Sequence, residues 1–298
     1  MDITGIENEA EFFPAGTLSD VLAVELADIA TQWSKTLAGA NPVDRISSVS
    51  EQVLTVLRQL RNTNDKTSRQ ECHQQLVNVV TTALGYDLKA ENKVLALDDG
   101  GFVPTIHQSF DAEGKCQLWI IAAPLGGAGE EEADPLGLSF DKKQFKDESD
   151  DVSELALEEL ISDGIFSLAD APRYLLIASP TQWVLIDSKK WPARSVLRFN
   201  LQDIFSRKDK DTYRLMASLI AKESRVPKSG KPLSDRLEEE AQRNANAVTT
   251  SLKRTVRDAI EILGQEVLDV TGGKFPKGEK RGVWINGETL SLECLRYM

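Results

Sequence analysis

The chain has 298 residues, of which 41% are hydrophobic and 28% charged, with a formal net charge of −12. This length supports one large domain or two modest ones, each with its own core. The acidity excludes a simple basic DNA-coating protein, because neutralising phosphates needs a surplus of Lys and Arg. From Arg225 onwards 13 basic residues face 11 acidic ones, whereas the part before it holds 22 against 36, so contact with a polyanion is expected in the last quarter of the chain.

The N-terminus, MDITGIENEAEFF, is acidic and lacks the apolar stretch of a signal peptide. No run of about 18 apolar residues marks a transmembrane helix. Cys72, Cys116 and Cys294 are widely separated and form no CxxC, which points to reduced thiols and a cytoplasmic chain.

Three helices are expected in the first ninety residues. Thr17 is placed to cap a segment that aligns Leu18, Val21, Leu22, Leu26, Ile29 and Trp33. A second helix runs from about Asp44 with Ile46, Val49, Val53, Leu57 and Leu60 on one face. A third starts near Lys66 and stops at Gly85. The period then changes. Lys93–Leu97, Val103–Phe110 and Leu118–Ala123, divided by turn-forming Asp/Gly clusters, predict a three-stranded antiparallel meander. The wholly apolar LWIIAA is expected inside the sheet rather than at its edge.

Residues 125–153 are Gly-rich and then acidic, and predict a surface loop. A helix is expected over Ser153–Phe166, then strands at RYLLIAS and WVLIDS, a helix reached through SVLRFNLQDIF, and another over Asp211–Ser224. PKSGKP serves as a linker. The strongest helical signal runs from Ser234 to Asp269, where Leu237, Ala241, Ala245, Val248, Leu252, Val256, Ile260, Leu263 and Val267 recur at steps of three and four. A basic stretch, KFPKGEKRG, follows. SLECLRYM then begins a helix that ends after two turns, from which we expect the natural chain to continue beyond Met298. The fold class expected is α+β: N-terminal helices (1–90), a small mixed nuclease-like sheet with flanking helices and the acidic loop (91–208), and a helical segment with one long helix (209–298).

Catalytic constellations are sparse. GxxxxGK[ST], GxSxG and the Asn-Pro-Pro-aromatic motif of adenine methyltransferases are missing from the sequence, and Gly126–Gly129 leads into no periodic helix. His73 and His107 stand at no metal-ligand spacing. A metal-dependent nuclease of the PD-(D/E)xK type needs an acid on one strand and an acid and lysine on its neighbour. Asp98, Asp99 and Asp111 (with Glu113) are the candidates for the first requirement. The strand that should meet the second reads LWIIAAPL, which makes this a degenerate nuclease site without a metal.

Two stretches carry a resemblance. RYLLIASPTQWVLIDSKKWPARSVLRFNLQDIFSRKDKDTYRLMASLIAKES and LSDRLEEEAQRNANAVTTSLKRTVRDAIEILGQEVLD are similar to the region just upstream of the catalytic domain in large adenine-specific DNA methyltransferases. These are the type IIG restriction enzymes and relatives in phage-defence systems of the BREX and DISARM kind. Trp183, Leu185, Asp187, Arg198, Phe199, Asp203, Phe205 and Asp209 match a strand–turn–strand–helix pattern of that family. Leu237, Glu239, Ala245, Val248, Leu252, Lys253, Arg257, Ile260, Glu261, Gly264 and Glu266 match its long helix. Gln242, Arg243 and Asn244 depart from a His-Lys-His-like cluster found in relatives.

The resemblance implies a non-catalytic N-terminal portion of a restriction–modification or phage-defence DNA methyltransferase. In the full-length family S-adenosylmethionine, with Mg2+ in some members, is the implied cofactor, and none is expected to bind this chain. The portion would brace the methyltransferase domain or other defence-system subunits, or contact double-stranded DNA. Arg243, Lys253, Arg254, Arg257, Lys274, Lys277, Lys280 and Arg281 are the DNA-contact candidates. The alternative is a stand-alone protein-interaction module that uses the 234–269 helix, and a divergent nuclease is the weaker one.

Overall fold

The computed structural model describes residues 5–14, 22–36, 41–89, 91–95, 101–126, 133–140, 155–227 and 231–271. It has the expected α+β class. Seven strands form one mixed sheet in the order β1-β7-β6-β5-β4-β3-β2, with β1 Ile6–Glu9, β2 Glu91–Leu95, β3 Gly101–Phe110, β4 Cys116–Ala122, β5 Tyr174–Ala178, β6 Gln182–Asp187 and β7 Val196–Asn200. β2, β3 and β4 make the expected meander. β4 pairs with β5 in parallel, Leu118 opposite Tyr174 and Ala122 opposite Ala178, while all other ladders are antiparallel.

Both faces of the central strands β4, β5, β6 and β7 are dry, and the alternation of their side chains divides the core in two. Leu118, Ile120, Tyr174, Leu176, Trp183, Leu185, Leu197 and Phe199 point to one face. Trp119, Ile121, Leu175, Ile177, Val184, Ile186 and Val196 point to the other. This double burial explains why the central strands read as unbroken apolar runs instead of alternating ones.

The first face is covered by helices α1 Leu22–Thr36, α2 Pro42–Ser48, α3 Ser50–Asn62, α4 Lys66–Ala83, α6 Leu201–Arg207 and α7 Lys210–Ile220. The second is covered largely by the β4–β5 connection. Its Leu136, Phe140, Leu157, Leu160, Ile161 and Ile165 pack there with Trp191. Within it, one turn of helix, α5 Leu157–Glu159, runs directly into a π-helical turn, Leu160–Ile165, where an α-helix over Ser153–Phe166 was expected. The extra residue per turn of a π-helix rotates the following side chains, and Leu160, Ile161 and Ile165 are all sealed from solvent.

Further differences from the expected elements have local causes. The helix expected from Asp44 is two helices. Pro42 opens α2 beneath Asn41, whose side chain accepts from the Val43 amide, and the chain turns at Val49 (φ −94°, ψ 0°) before α3. The Asp211–Ser224 helix is likewise divided: α7 is capped by Asp209, and Ala221 at ψ 152° separates it from α8 Lys222–Arg225. The third helix ends as expected, with Gly85 at φ +87°. The long helix is α9, Leu233–Thr271. Residues around Thr17, Gly272-Gly273 and Ser291–Met298 lie outside the described ones.

By contact density the chain forms two compact units, Met1–Glu238 and Glu239–Met298. The boundary falls within α9 rather than at 90 or 208, because the N-terminal helices and the sheet share a single core. No described helix is long and apolar enough to cross a membrane.

Two substitutions test this packing. Trp183, with none of its surface exposed, lowers stability by about 3–5 kcal/mol when replaced by Ala. Gly85→Ala costs about 1–2 kcal/mol, because a side chain disfavours positive φ and its Cβ would stand 2.8 Å from Arg45 Nη2. Urea unfolding followed by circular dichroism measures both.

Candidate functional site

The nuclease candidates do not converge on a site. Asp98 and Asp99 lie outside the described residues. Asp111 sits at the exposed β3–β4 turn, where Oδ1 accepts hydrogen bonds from the Lys115 and Glu113 amides at 2.8 and 3.0 Å, and Oδ2 accepts from Gln117 Nε2 at 2.7 Å. These bonds, the Lys115 amide first, hold its carboxyl below the usual carboxylate range. Both oxygens of Asp111 are thus committed to shaping a turn. Glu113 is a solvent-exposed member of the same turn. On β4, Leu118, Trp119, Ile120 and Ile121 are buried between the two cores, so the strand that should bear an acid and a lysine is packed with hydrocarbon on both sides. Among the described residues no group of three or more His, Cys, Asp and Glu is placed to hold a metal ion.

Both histidines are structural. His73, on α4, donates from Nε2 to the Ala178 carbonyl at the end of β5 (3.0 Å) and is 4% exposed. Burial drives its pKa down to about 4. His107, on β3, bridges the Asp87 carbonyl at Nδ1 (2.5 Å) and the Ser109 hydroxyl at Nε2 (2.6 Å), beside the Tyr86 ring. Burial lowers its pKa too. Ser109 stands two residues along the same strand, hence on the same face, a relation that period-two reasoning could have found. The pair is closed: Ser109 is 6% exposed.

The DNA-contact candidates on α9 are largely self-neutralised. Arg257 pairs with Glu261 at 2.9 Å, Arg254 with Asp258 at 3.9 Å, and Arg243 with Glu239 and Glu240. Residues 239–271 carry four basic and six acidic side chains. Lys253 is exposed, while Lys274, Lys277, Lys280 and Arg281 lie outside the described residues. What α9 does expose is hydrocarbon: Val248 at 67%, Leu252 at 62%, Ile262 at 70% and Leu263 at 40%.

Sequence reasoning missed one polar cluster, at the end of the sheet where α9 begins. Arg173 forks onto both carboxylate oxygens of Asp235, with Asp187 3.6 Å away. The Tyr174 hydroxyl meets Ser234 Oγ at 2.7 Å. Arg225, 1% exposed, stacks on the Tyr174 ring and donates from Nε to the Leu219 carbonyl. Lys190 pairs with Glu238 at 2.5 Å. The cluster joins β5, β6, α8 and the first turns of α9. The only hint of it in the sequence was the polar Asp187 closing an apolar strand.

Arg198, one of the residues that carry the resemblance, ties edge strand β1 to the sheet through Glu9 and binds both oxygens of Asp134 at 2.9 and 3.0 Å. An open groove of about 440 Å3 runs between the α2–α3 junction and α4, with Arg45, Gln52, Asn78 and Thr82 around Val49 and Val79. Arg45 is its sole titratable lining group and is engaged by Glu223 Oε1 at 2.8 Å and the Ala83 carbonyl at 3.0 Å. No protein-family model, curated protein or solved structure matches the chain.

A pH titration checks the role of His73. Its folded pKa lies below the unfolded value, so the neutral buried form stabilises fully above about pH 6.5, and the contribution is lost as pH falls towards 4. The stability advantage of the native chain over His73→Gln therefore shrinks over that interval, by up to about 3 kcal/mol. An advantage independent of pH would show that His73 is not held neutral.

Proposed function

We propose that this chain is a non-catalytic portion of a restriction–modification or phage-defence DNA methyltransferase and that it braces the enzyme. The observation that carries this reading is how the residues of the resemblance divide. Trp183, Leu185, Asp187, Arg198, Phe199 and Phe205 are core residues of the first unit. Val248, Leu252, Lys253, Arg257 and Glu261 lie exposed on α9. The first group is accounted for by packing. The second does nothing for the sheet, and exposed apolar residues on a helix are accounted for by an interface.

Bracing is favoured over DNA contact because Arg243, Arg254 and Arg257 already pair with acids of their own helix, and the described part of the second unit holds no cationic surplus. S-adenosylmethionine, and Mg2+ where the family uses it, belongs in this reading to the catalytic portion and not to the residues described above.

Affinity purification of the tagged chain from its host tests the proposal. An adenine-specific methyltransferase polypeptide recovered in near-stoichiometric amount is the expected result. A folded chain that recovers none contradicts it.

A further inference from the structure

The first described residues form a strap along one edge of the sheet. β1 pairs with β7, the chain turns back at Ala10 and Glu11, and Phe12 and Phe13 then enter the core, 1% and 0% exposed. Ala10 and Glu11 both have left-handed backbone, at φ 46° and 54°. Two consecutive residues with side chains adopt this region at a cost that glycine would avoid. Backbone of this kind persists only where its surroundings hold it. Here the Asn8 side chain clasps Phe13, donating from Nδ2 to its carbonyl at 2.8 Å and accepting from its amide at Oδ1 at 2.9 Å. Ser195 Oγ donates to the Ala10 carbonyl at 2.6 Å, and Lys190 Nζ donates to the Phe12 carbonyl.

Lys190 is common to this strap and to α9. It lies in the β6–β7 connection, with its ammonium 4.4 and 4.9 Å from the centres of the Phe12 and Phe13 rings, which stand edge to face at 5.1 Å. The same ammonium pairs with Glu238 Oε1 at 2.5 Å on the second turn of α9. Its side chain is 19% exposed, so little water is at hand to replace a lost partner. Each partner therefore fixes the ammonium for the other. Withdrawal of the strap removes two ring faces and a carbonyl, and leaves Glu238 to hold the end of a mobile stem against its rotamer entropy. Withdrawal of Glu238 removes the charge that keeps the ammonium over the rings.

We infer that residues 5–14 and the first turns of α9 form one coupled latch, with Lys190 as its positioning residue: seating the strap tightens the root of α9, and docking the root tightens the strap. The strain at Ala10 and Glu11 makes the latch releasable. It lowers the cost of opening the strap, so the loss of one contact shifts the balance between seated and open forms. Leu233 and Leu237 keep the root anchored in the core, 2% and 0% exposed, so an open strap loosens the root without detaching it. The latch lies wholly within the first unit, and the inference stands whether or not the chain braces an enzyme.

Amide hydrogen exchange on the purified full chain tests it. Asn8→Ala removes the clasp on Phe13, and the amides of Phe12 and Phe13 then exchange about tenfold faster. With them, the amides of Asp235–Glu238 exchange about fivefold faster, while those of β4, β5 and β6 are unchanged. Coupling is reciprocal, so Glu238→Gln speeds exchange at Phe12 and Phe13 by a comparable factor. In a Lys190→Met background Asn8→Ala still loosens the strap but no longer moves the α9 amides. Exchange at Asp235–Glu238 that ignores Asn8→Ala overturns the inference, and so does a response that persists undiminished with Lys190→Met. Strap amides that ignore Asn8→Ala overturn it as well, because the strained turn would then not depend on its clasp.

Discussion

The parallel pairing of β4 with β5 is the constraint on which the first unit is built. Parallel neighbours require a long connection that returns over the sheet. Here that connection leaves β4 at Ala123 and re-enters at Arg173, and it lays Leu136, Phe140, Leu157, Leu160, Ile161 and Ile165 across the face that the N-terminal helices do not reach. A sheet covered on both sides follows, and with it strands β4, β5 and β6 whose residues are almost all sealed from water. The π-helical turn at Leu160–Ile165 and the Arg198–Asp134 fork both serve this returning segment.

The same constraint decides where polar chemistry sits. A strand with hydrocarbon on both faces leaves no room for a carboxylate and a lysine around a metal, so β4 is a structural strand. On β5 and β6 charged groups appear at the ends of the strands instead. Arg173, Asp187, Arg225 and Asp235 gather where β5 begins and β6 ends, and fix the first turns of α9 against the sheet. Breaking one partner of such a buried group costs more than the intact network contributes, which gives the start of α9 a defined position in the first unit.

Much of this was legible in the sequence. The meander, β5, β6, the stop at Gly85 and the long helix all announce themselves through hydrophobic period or turn residues. What stayed hidden has physical reasons. β1 presents one buried apolar residue, Ile6, because it is a short edge strand, and its pairing with β7 depends on Glu9 and Arg198, 189 positions apart. β7 is only five residues long and runs straight into α6 at Leu201, so its strand signal merges with the helix. The breaks at Val49 and Ala221 lie within continuous apolar patterns, which hide them. Of the candidate site, Asp111 was visible as an acid beside a strand, but its commitment to three hydrogen bonds within the turn was not.

The central claim concerns α9: its apolar stripe is an interface and not a surface left over from folding. Hydrogen exchange of the chain alone and of the chain in complex with a methyltransferase polypeptide addresses this directly. Amides of β4, β5 and β6 are shielded by a core internal to one chain and exchange slowly in both. Amides of α9 over 245–263 should exchange rapidly in the chain alone and slow markedly in the complex. Equal protection of that segment in the two samples would contradict the account.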